Sequence, residues 1–189
     1  MSAVLQPLVR ALEVEDLPAV SAIYGYAARH TDATLDEAGR NEDELVKWLS
    51  EHDKTYPAIG VDVDGGLAAY ATLSPFAQRA GYLASAEISI YVDPFRQGDG
   101  LGRALCGHLT AHAQSVGFST VLAVVTSSNQ RSLNLFLSAG YEPVGTLRKI
   151  GYKLGHLVDL DILQRIFPAN FARFDGRPMG DVFGSGVAQ

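Results

Sequence analysis

Two stretches of this chain carry residue types suited to chemistry. The first is Arg96-Gln97-Gly98-Asp99-Gly100-Leu101-Gly102-Arg103, lying between a strand-like run that ends at Val92 and an amphipathic helix. Glycines at a strand-to-helix turn let backbone N–H groups close around an anion, and the helix N-terminus adds partial positive charge. A phosphate or pyrophosphate is the natural ligand of such a turn. Two common phosphate loops do not fit. Arg103 stands where G-x-G-x-x-G, counted from Gly98, needs its third glycine, and the Gly-Lys-Ser/Thr ending of a P-loop is missing. The bland alternative is a ligand-free helix start capped by Asp99.

The second stretch is Ser85-Ala86-Glu87-Ile88-Ser89-Ile90-Tyr91-Val92. In a strand, Ala86, Ile88, Ile90 and Val92 share one face, and Ser85, Glu87, Ser89 and Tyr91 share the other. A mid-strand carboxylate is costly to bury without a partner. Glu87 therefore sits either at a solvated edge or in an ion pair, or else it serves as a general base whose pKa burial has raised. The base reading is favoured, with an amine as the proton donor. Strand rise places Glu87 about 16 Å upstream of Val92.

The elements that must hold these residues follow from periodicity. Residues 8–13 read as a strand. Glu15-Asp16 opens a helix with Leu17, Val20, Tyr24 and Ala28 on one face. A second helix spans about 41–52, with Asn41 and Glu44 as a capping box. Strands at 57–63 and 67–73 flank the hairpin signal Asp64-Gly65-Gly66. A loop at 74–81 leads to a strand at 82–92. The helix after the glycine loop carries Leu101, Leu105, Leu109 and Val116 on one stripe and ends at Gly117. A strand at 120–126, a helix at 129–139 and strands at 141–152 and 156–166 complete the order β, α, α, β, β, β, α, β, α, β, β. This is an α/β chain with a mixed central sheet flanked by helices. Residues 1–167 form one domain. Residues 168–189, with Phe171, Phe174 and Phe183, form a tail that is loosely ordered or packed on a partner subunit.

The 189 residues suffice for one substantial core, and a 47% hydrophobic, 19% charged composition suits a soluble globule. The net charge of -6 argues against nucleic acid or an anionic membrane as partner. It also means that an anionic ligand needs local cations, for which Arg96, Arg103 and Arg131 are the candidates. With no signal peptide or apolar span, a cytoplasmic protein is expected. The single cysteine, Cys106, excludes an internal disulfide and reads as a buried small side chain. His108 and His112 have metal-compatible i, i+4 spacing, but they fall on the apolar stripe and lack a third ligand, so no metal is expected.

Gln97-x-x-Gly100-x-Gly102 resembles the acetyl-CoA pyrophosphate loop (Q/R-x-x-G-x-G/A) of the GNAT N-acetyltransferases, and the element order matches their fold. Ser74-Pro75-Phe76, Arg79, Tyr82, Glu87 through Val92, Asn129, Gly140-Tyr141 and Gly151-Tyr152-Lys153 with Asp159 resemble the phosphinothricin (methionine sulfoximine) N-acetyltransferase group over residues 7–165. Thr31-Asp32-Ala33-Thr34 is similar to that group's Thr-rich segment. The resemblance implies acetyl-CoA as cosubstrate and a small amine as acceptor, with Glu87 as catalytic base. It also implies that Ile90, Tyr91 and Val92 meet the pantetheine arm, whose reach is comparable with the Glu87–Val92 span. Gln97, Gly98, Asp99, Gly100, Leu101, Gly102 and Arg103 would hold the pyrophosphate, Asn129 and Ser132 would contact the cofactor, and Phe76, Arg79, Tyr82 and Glu87 would bind the acceptor. Members of this group are commonly homodimers.

Three positions depart from the group. Ala77-Gln78-Arg79 replaces an Arg-Pro-Arg, leaving one of two arginines able to pair with an acceptor carboxylate. Asp99 replaces a basic residue. Phe136 stands where a tyrosine or histidine would donate a proton to the leaving thiolate. The leading function is acetyl transfer to the amine of an amino-acid-like acceptor. A peptide or antibiotic amine is the alternative acceptor, and a non-catalytic acyl-CoA sensor is the alternative class.

Overall fold

Asp64 and Gly65 both take positive φ, 54° and 84°, as a two-residue type I′ turn requires. They join β2 (Ala58–Val63) to β3 (Gly66–Pro75) in the computed structural model, which describes residues 8–176. β1 (Val9–Ala11) pairs outside β2, and β4 (Ser85–Val92) pairs with β3. β5 (Thr120–Thr126), β7 (His156–Ile166) and β6 (Glu142–Lys153) complete a seven-stranded sheet in the order β1-β2-β3-β4-β5-β7-β6. Every pairing is antiparallel except β4 with β5.

Helices cover both faces, as the periodicity requires. α3 (Leu101–Val116) lays Leu101, Leu105, Leu109 and Ala113 on Val61, Ala71, Leu73, Ile88, Val121 and Ala123. α4 (Gln130–Ser138) adds Phe136 to the same core. On the opposite face α1 (Leu17–His30) and α2 (Glu42–Ser50) bury Val20, Ile23, Tyr24 and Leu45 against Ala58 and Tyr70. The capping box of α2 is formed: Glu44 N donates to Asn41 Oδ1 at 2.9 Å, and Asn41 N donates to Glu44 Oε2 at 2.8 Å.

Several expectations are corrected. The strand before the glycine loop begins at Ser85, not at 82, and residues 80–82 form a 3-10 turn. β3 ends at Pro75, opposite Ala86, so residues before Ser85 have no partner strand to extend along. Asp99 does not cap α3. Gly100 occupies the cap position, and no side chain bonds the first turn there. His108 is exposed rather than on the buried stripe, while His112 is half-buried. Among the described residues no group of three His, Cys, Asp or Glu side chains is gathered to hold a metal ion. No helix among them is long and apolar enough to cross a membrane.

The segment from Pro168 starts with a 3-10 helix to Arg173 that is fastened to the domain. Asn170 Nδ2 donates to the carbonyls of Gln114 and Phe118, both at 2.8 Å, and Arg173 donates to Val116 O at 2.6 Å. The rest of the tail, with Phe183, lies outside the described residues.

Leu105 has no exposed surface and lies at the centre of the α3 face. Leu105→Ala is expected to lower the unfolding free energy by about 2–5 kcal/mol in urea denaturation. A loss below about 1 kcal/mol would mean that the α3 interface closes over the missing atoms.

Candidate active site

The parallel pairing of β4 with β5 spans three residue pairs: Ser85 with Thr120, Ala86 with Val121, and Glu87 with Leu122. Beyond Glu87 the strands part. β4 continues beside β3 as far as Val92, and β5 continues beside β7 as far as Thr126. Each strand therefore keeps one paired edge and leaves the other facing a gap. Backbone N–H and C=O groups on such an edge need partners, which water or an extended ligand must provide.

Glu87 is the last paired residue before this fork. Its side chain points to the α1 side of the sheet, as the period-2 pattern predicts, because Ala86 and Ile88 are buried under α3. Tyr91, on the same face as Glu87, stacks on Tyr70 with ring centroids 5.3 Å apart and meets Tyr24 edge-on at 5.1 Å. The Glu87 carboxyl is half-buried, and burial pushes its pKa above the ordinary carboxylate value. Such a group holds a proton more tightly than a solvated glutamate does. Cys106 is the opposite case. Burial raises its thiol to about 11, so it is protonated at neutral pH and poorly suited to carry an acyl group.

A cavity of about 570 Å³ opens beside the C-terminal end of β4, past the fork. Ile90, Tyr91 and Val92 form one wall, and Asn129, Ser132 and Leu135 of the α4 end form another. Thr31, Asp32 and Ala33, just after α1, close a third side that the sequence does not assign to the site. The signal was present in the Thr-rich segment, but contact across the fold cannot be read from one strand of sequence. Gln97, Gly98, Gly100, Leu101, Gly102 and Arg103 line the mouth, with Arg96 and Arg131. Asp99 is exposed and is not among the lining residues.

The mouth gathers free backbone donors and positive charge. Gly98 and Gly100 have φ of 103° and 82°, which other residues adopt only with strain, and a Cβ at either would meet open space. The first intrahelical bond of α3 runs from Ala104 N to Gly100 O, so the amides of Leu101, Gly102 and Arg103 have no intrahelical partner. Arg96 pairs with Asp64 of the β2–β3 turn, and Arg131 donates to Gln97 across the mouth. The three arginines expected from the charge argument are thus gathered at one opening.

Phe76, Arg79 and Tyr82 lie elsewhere, at the N-terminal end of β4. Phe76 and Tyr82 pack edge to face, with centroids 5.6 Å apart, and Arg79 and Tyr82 are exposed. These three residues and Glu87 do not line the cavity. Glu87 stands between the two groups: its partner on β3 is Ser74, two residues before Phe76. Phe136 faces the core, packed on Tyr141 at 5.1 Å with 2% exposure, so a hydroxyl at this position would be buried away from the cavity.

Comparison with known proteins agrees with this geometry. The Acetyltransferase (GNAT) family profile matches residues 21–141. A phosphinothricin N-acetyltransferase of Alcaligenes faecalis is 31% identical over 159 residues, covering 83% of this chain and 81% of that protein. An L-methionine sulfoximine/L-methionine sulfone acetyltransferase of Salmonella typhimurium is 29% identical over 157 residues, covering 82% of this chain and 92% of its own length. A crystal structure of a GNAT superfamily phosphinothricin acetyltransferase from Sinorhizobium meliloti, in complex with acetyl-CoA, matches with a TM-score of 0.84. It is 28% identical and covers 89% of this chain and 92% of that one.

The raised pKa of Glu87 has a consequence for stability. The folded protein holds this proton more tightly than the unfolded chain does, so the carboxylate becomes destabilising as pH rises through and above the ordinary carboxylate range. Glu87→Gln is therefore expected to raise the urea midpoint at neutral pH, with the gain shrinking toward about pH 3, where both states of the wild type are protonated. A variant less stable than the wild type at neutral pH would show that the carboxylate is favourably paired.

Proposed function

This chain belongs to the GNAT acetyltransferase family and is an acetyl-CoA-dependent N-acyltransferase; we propose that its acceptor is the primary amine of a small amino-acid-like molecule and that Glu87 is the general base. One observation carries the reading: a half-buried carboxyl of raised pKa stands at the fork, on the strand whose far end meets a cavity mouth lined by glycines and three arginines. The amides of Leu101, Gly102 and Arg103, with Gln97, Gly98 and Gly100, would hold the pyrophosphate. Ile90, Tyr91 and Val92 would run beside the pantetheine arm, with Asn129 and Ser132 on the facing wall. The bound cosubstrate supplies an activated thioester carbonyl. Asp99, exposed and outside the lining, is the weakest member of the assigned loop.

The amine must be neutral to attack, and a free α-amino group has a pKa near ~8. Glu87 accepts the proton that the amine sheds, and its burial sets its affinity for that proton above that of a solvated carboxylate. Phe76, Arg79 and Tyr82, next to the Glu87 end of β4, supply a platform for the acceptor. Arg79 offers a planar guanidinium to an acceptor carboxylate. The relatives named for phosphinothricin, methionine sulfoximine and methionine sulfone support an acceptor of amino-acid type. Exposed apolar side chains on β6 and β7, among them Leu147, Ile150, Tyr152 and Leu157, support a homodimer.

Two experiments test this reading. A Cβ at Gly102 would lie 3.4 Å from Leu135 Cδ2, an ordinary contact, so Gly102→Ala is expected to fold. Gly102→Glu places bulk and negative charge in the mouth and is expected to abolish acetyl-CoA binding in calorimetry. Unchanged affinity in the Glu variant would remove the phosphate-loop assignment.

Glu87→Gln is expected to lower turnover at neutral pH by about 10²–10⁴. It should leave acetyl-CoA affinity intact and recover in part at higher pH, where more acceptor arrives deprotonated. Arg79→Ala should weaken binding of an amino acid but spare its amide. Wild-type turnover in Glu87→Gln would end the base assignment, and equal weakening of acid and amide would leave Arg79 without a role in recognition.

A further inference from the structure

Lys153, at the end of β6, is 4% exposed. Lysine is almost never buried so completely without a charged partner. Among the described residues no carboxylate lies within ion-pair distance of it: the salt bridges there join Arg10 with Asp16 and Asp62, Arg96 with Asp64, and Lys149 with Asp159. The ammonium instead donates to two backbone carbonyls, those of Ala28 and Asp36. Ala28 lies in the last turn of α1, where the helix presents partial negative charge. The Asp36 carboxylate, meanwhile, accepts from Tyr24 Oη.

These two carbonyls bracket a segment whose centre, Thr31-Asp32-Ala33, closes one side of the cavity. A second feature of the same strand face serves the same segment. Gly151 lies two residues before Lys153, and a Cβ there would come within 2.8 Å of Leu35 Cδ1 and 2.9 Å of Val158 Cγ2. The missing side chain makes room for Leu35, and the lysine binds the backbone at both ends. At the apex Asp32 accepts from Ser128 Oγ, which ties the segment to the chain just before Asn129. Thr31 N and Oγ1 both donate to Ala27 O, at 3.1 and 2.8 Å, fixing the exit from α1.

We propose that Lys153 is a positioning residue of the active site: it clasps both ends of residues 28–36, with Gly151 as the seat for Leu35, so that the cavity wall is set before ligands arrive. The inference rests on the reading that this cavity takes acetyl-CoA and the acceptor. It goes further in assigning a role to a residue that touches neither. Without the clasp the wall must order on binding, and that ordering cost appears in apparent affinity.

Lys153→Met keeps the length of the side chain and removes its donors, Lys153→Arg restores donors, and Gly151→Val displaces Leu35 without altering charge. Hydrogen exchange on the unliganded proteins is expected to show amides of 31–36 exchanging at least about tenfold faster in Lys153→Met and Gly151→Val, with β3 and β4 amides unchanged. Lys153→Arg should recover part of the protection. Steady-state kinetics should show KM for acetyl-CoA or acceptor raised about five- to tenfold in both loosened variants, with kcat within about threefold of wild type. Unaltered exchange at 31–36, or faster exchange throughout the domain, overturns the clasp. Faster local exchange with unchanged KM values overturns its role in the site. If Lys153→Met does not fold, Gly151→Val decides the question by the same readouts. Calorimetry of acetyl-CoA with the wild type tests the underlying reading by itself, because the exchange measurements need no ligand.

Discussion

The brevity of the parallel contact between β4 and β5 is the constraint on which the rest of the site depends. Three residue pairs hold the two halves of the sheet together. Each strand then follows its other neighbour, β3 for β4 and β7 for β5. Sheet twist favours this separation, because two strands anchored to different partners diverge once their common edge ends. A longer pairing would satisfy more backbone groups and close the cavity. The fold instead leaves those groups open, and helix cores on both faces support the opening.

Two ionisable side chains near this opening show opposite ways of handling burial. Glu87 is half-buried, and nothing offsets its desolvation, so its pKa rises and its charge works against folding. Lys153 is more deeply buried, yet its charge meets two carbonyls, one at the negative end of a helix. The first arrangement leaves a carboxyl with raised proton affinity. The second holds the backbone in place. An unfavourable buried charge tolerated beside a fully satisfied one is a common compromise between function and stability.

Features set by local chemistry were legible in the sequence. The Asp64-Gly65 turn, the Asn41–Glu44 box and the glycine end of α3 depend on adjacent residues and appear as expected. β5 matches its assigned limits because its apolar run is nearly uninterrupted, and β7 matches them although polar residues interrupt its apolar ones. The sheet face that Glu87 takes followed from period-2 alternation. What failed depended on distant partners. Residues 82–84 look strand-like but have no neighbour beyond Pro75, and Asp99 looks like a cap although the backbone uses Gly100 instead. The wall at Thr31-Asp32-Ala33 and the Lys153 clasp depend on distant partners, 96 residues away for Asp32 with Ser128 and 125 for Lys153 with Ala28, and no local pattern encodes such contacts.

Electrostatics completes the division of labour along β4. The chain carries a net charge of -6, so its overall field opposes a polyanionic cosubstrate. Screening limits that field to about 8–10 Å in physiological salt, so groups at the mouth outweigh the distant surface. Arg96, Arg103 and Arg131 occupy that mouth together with the free amides of the first turn of α3, and Arg96 and Arg131 already have partners in Asp64 and Gln97. Holding a guanidinium near its working position reduces the side-chain entropy that ligand binding must still remove. The C-terminal end of β4 is therefore cationic and rich in donors, while its middle offers an unpaired backbone edge. Its N-terminal end carries a lone carboxyl whose proton affinity is set by burial. The carboxyl thus sits at the opposite end of the strand from the arginines, where no guanidinium lowers its proton affinity.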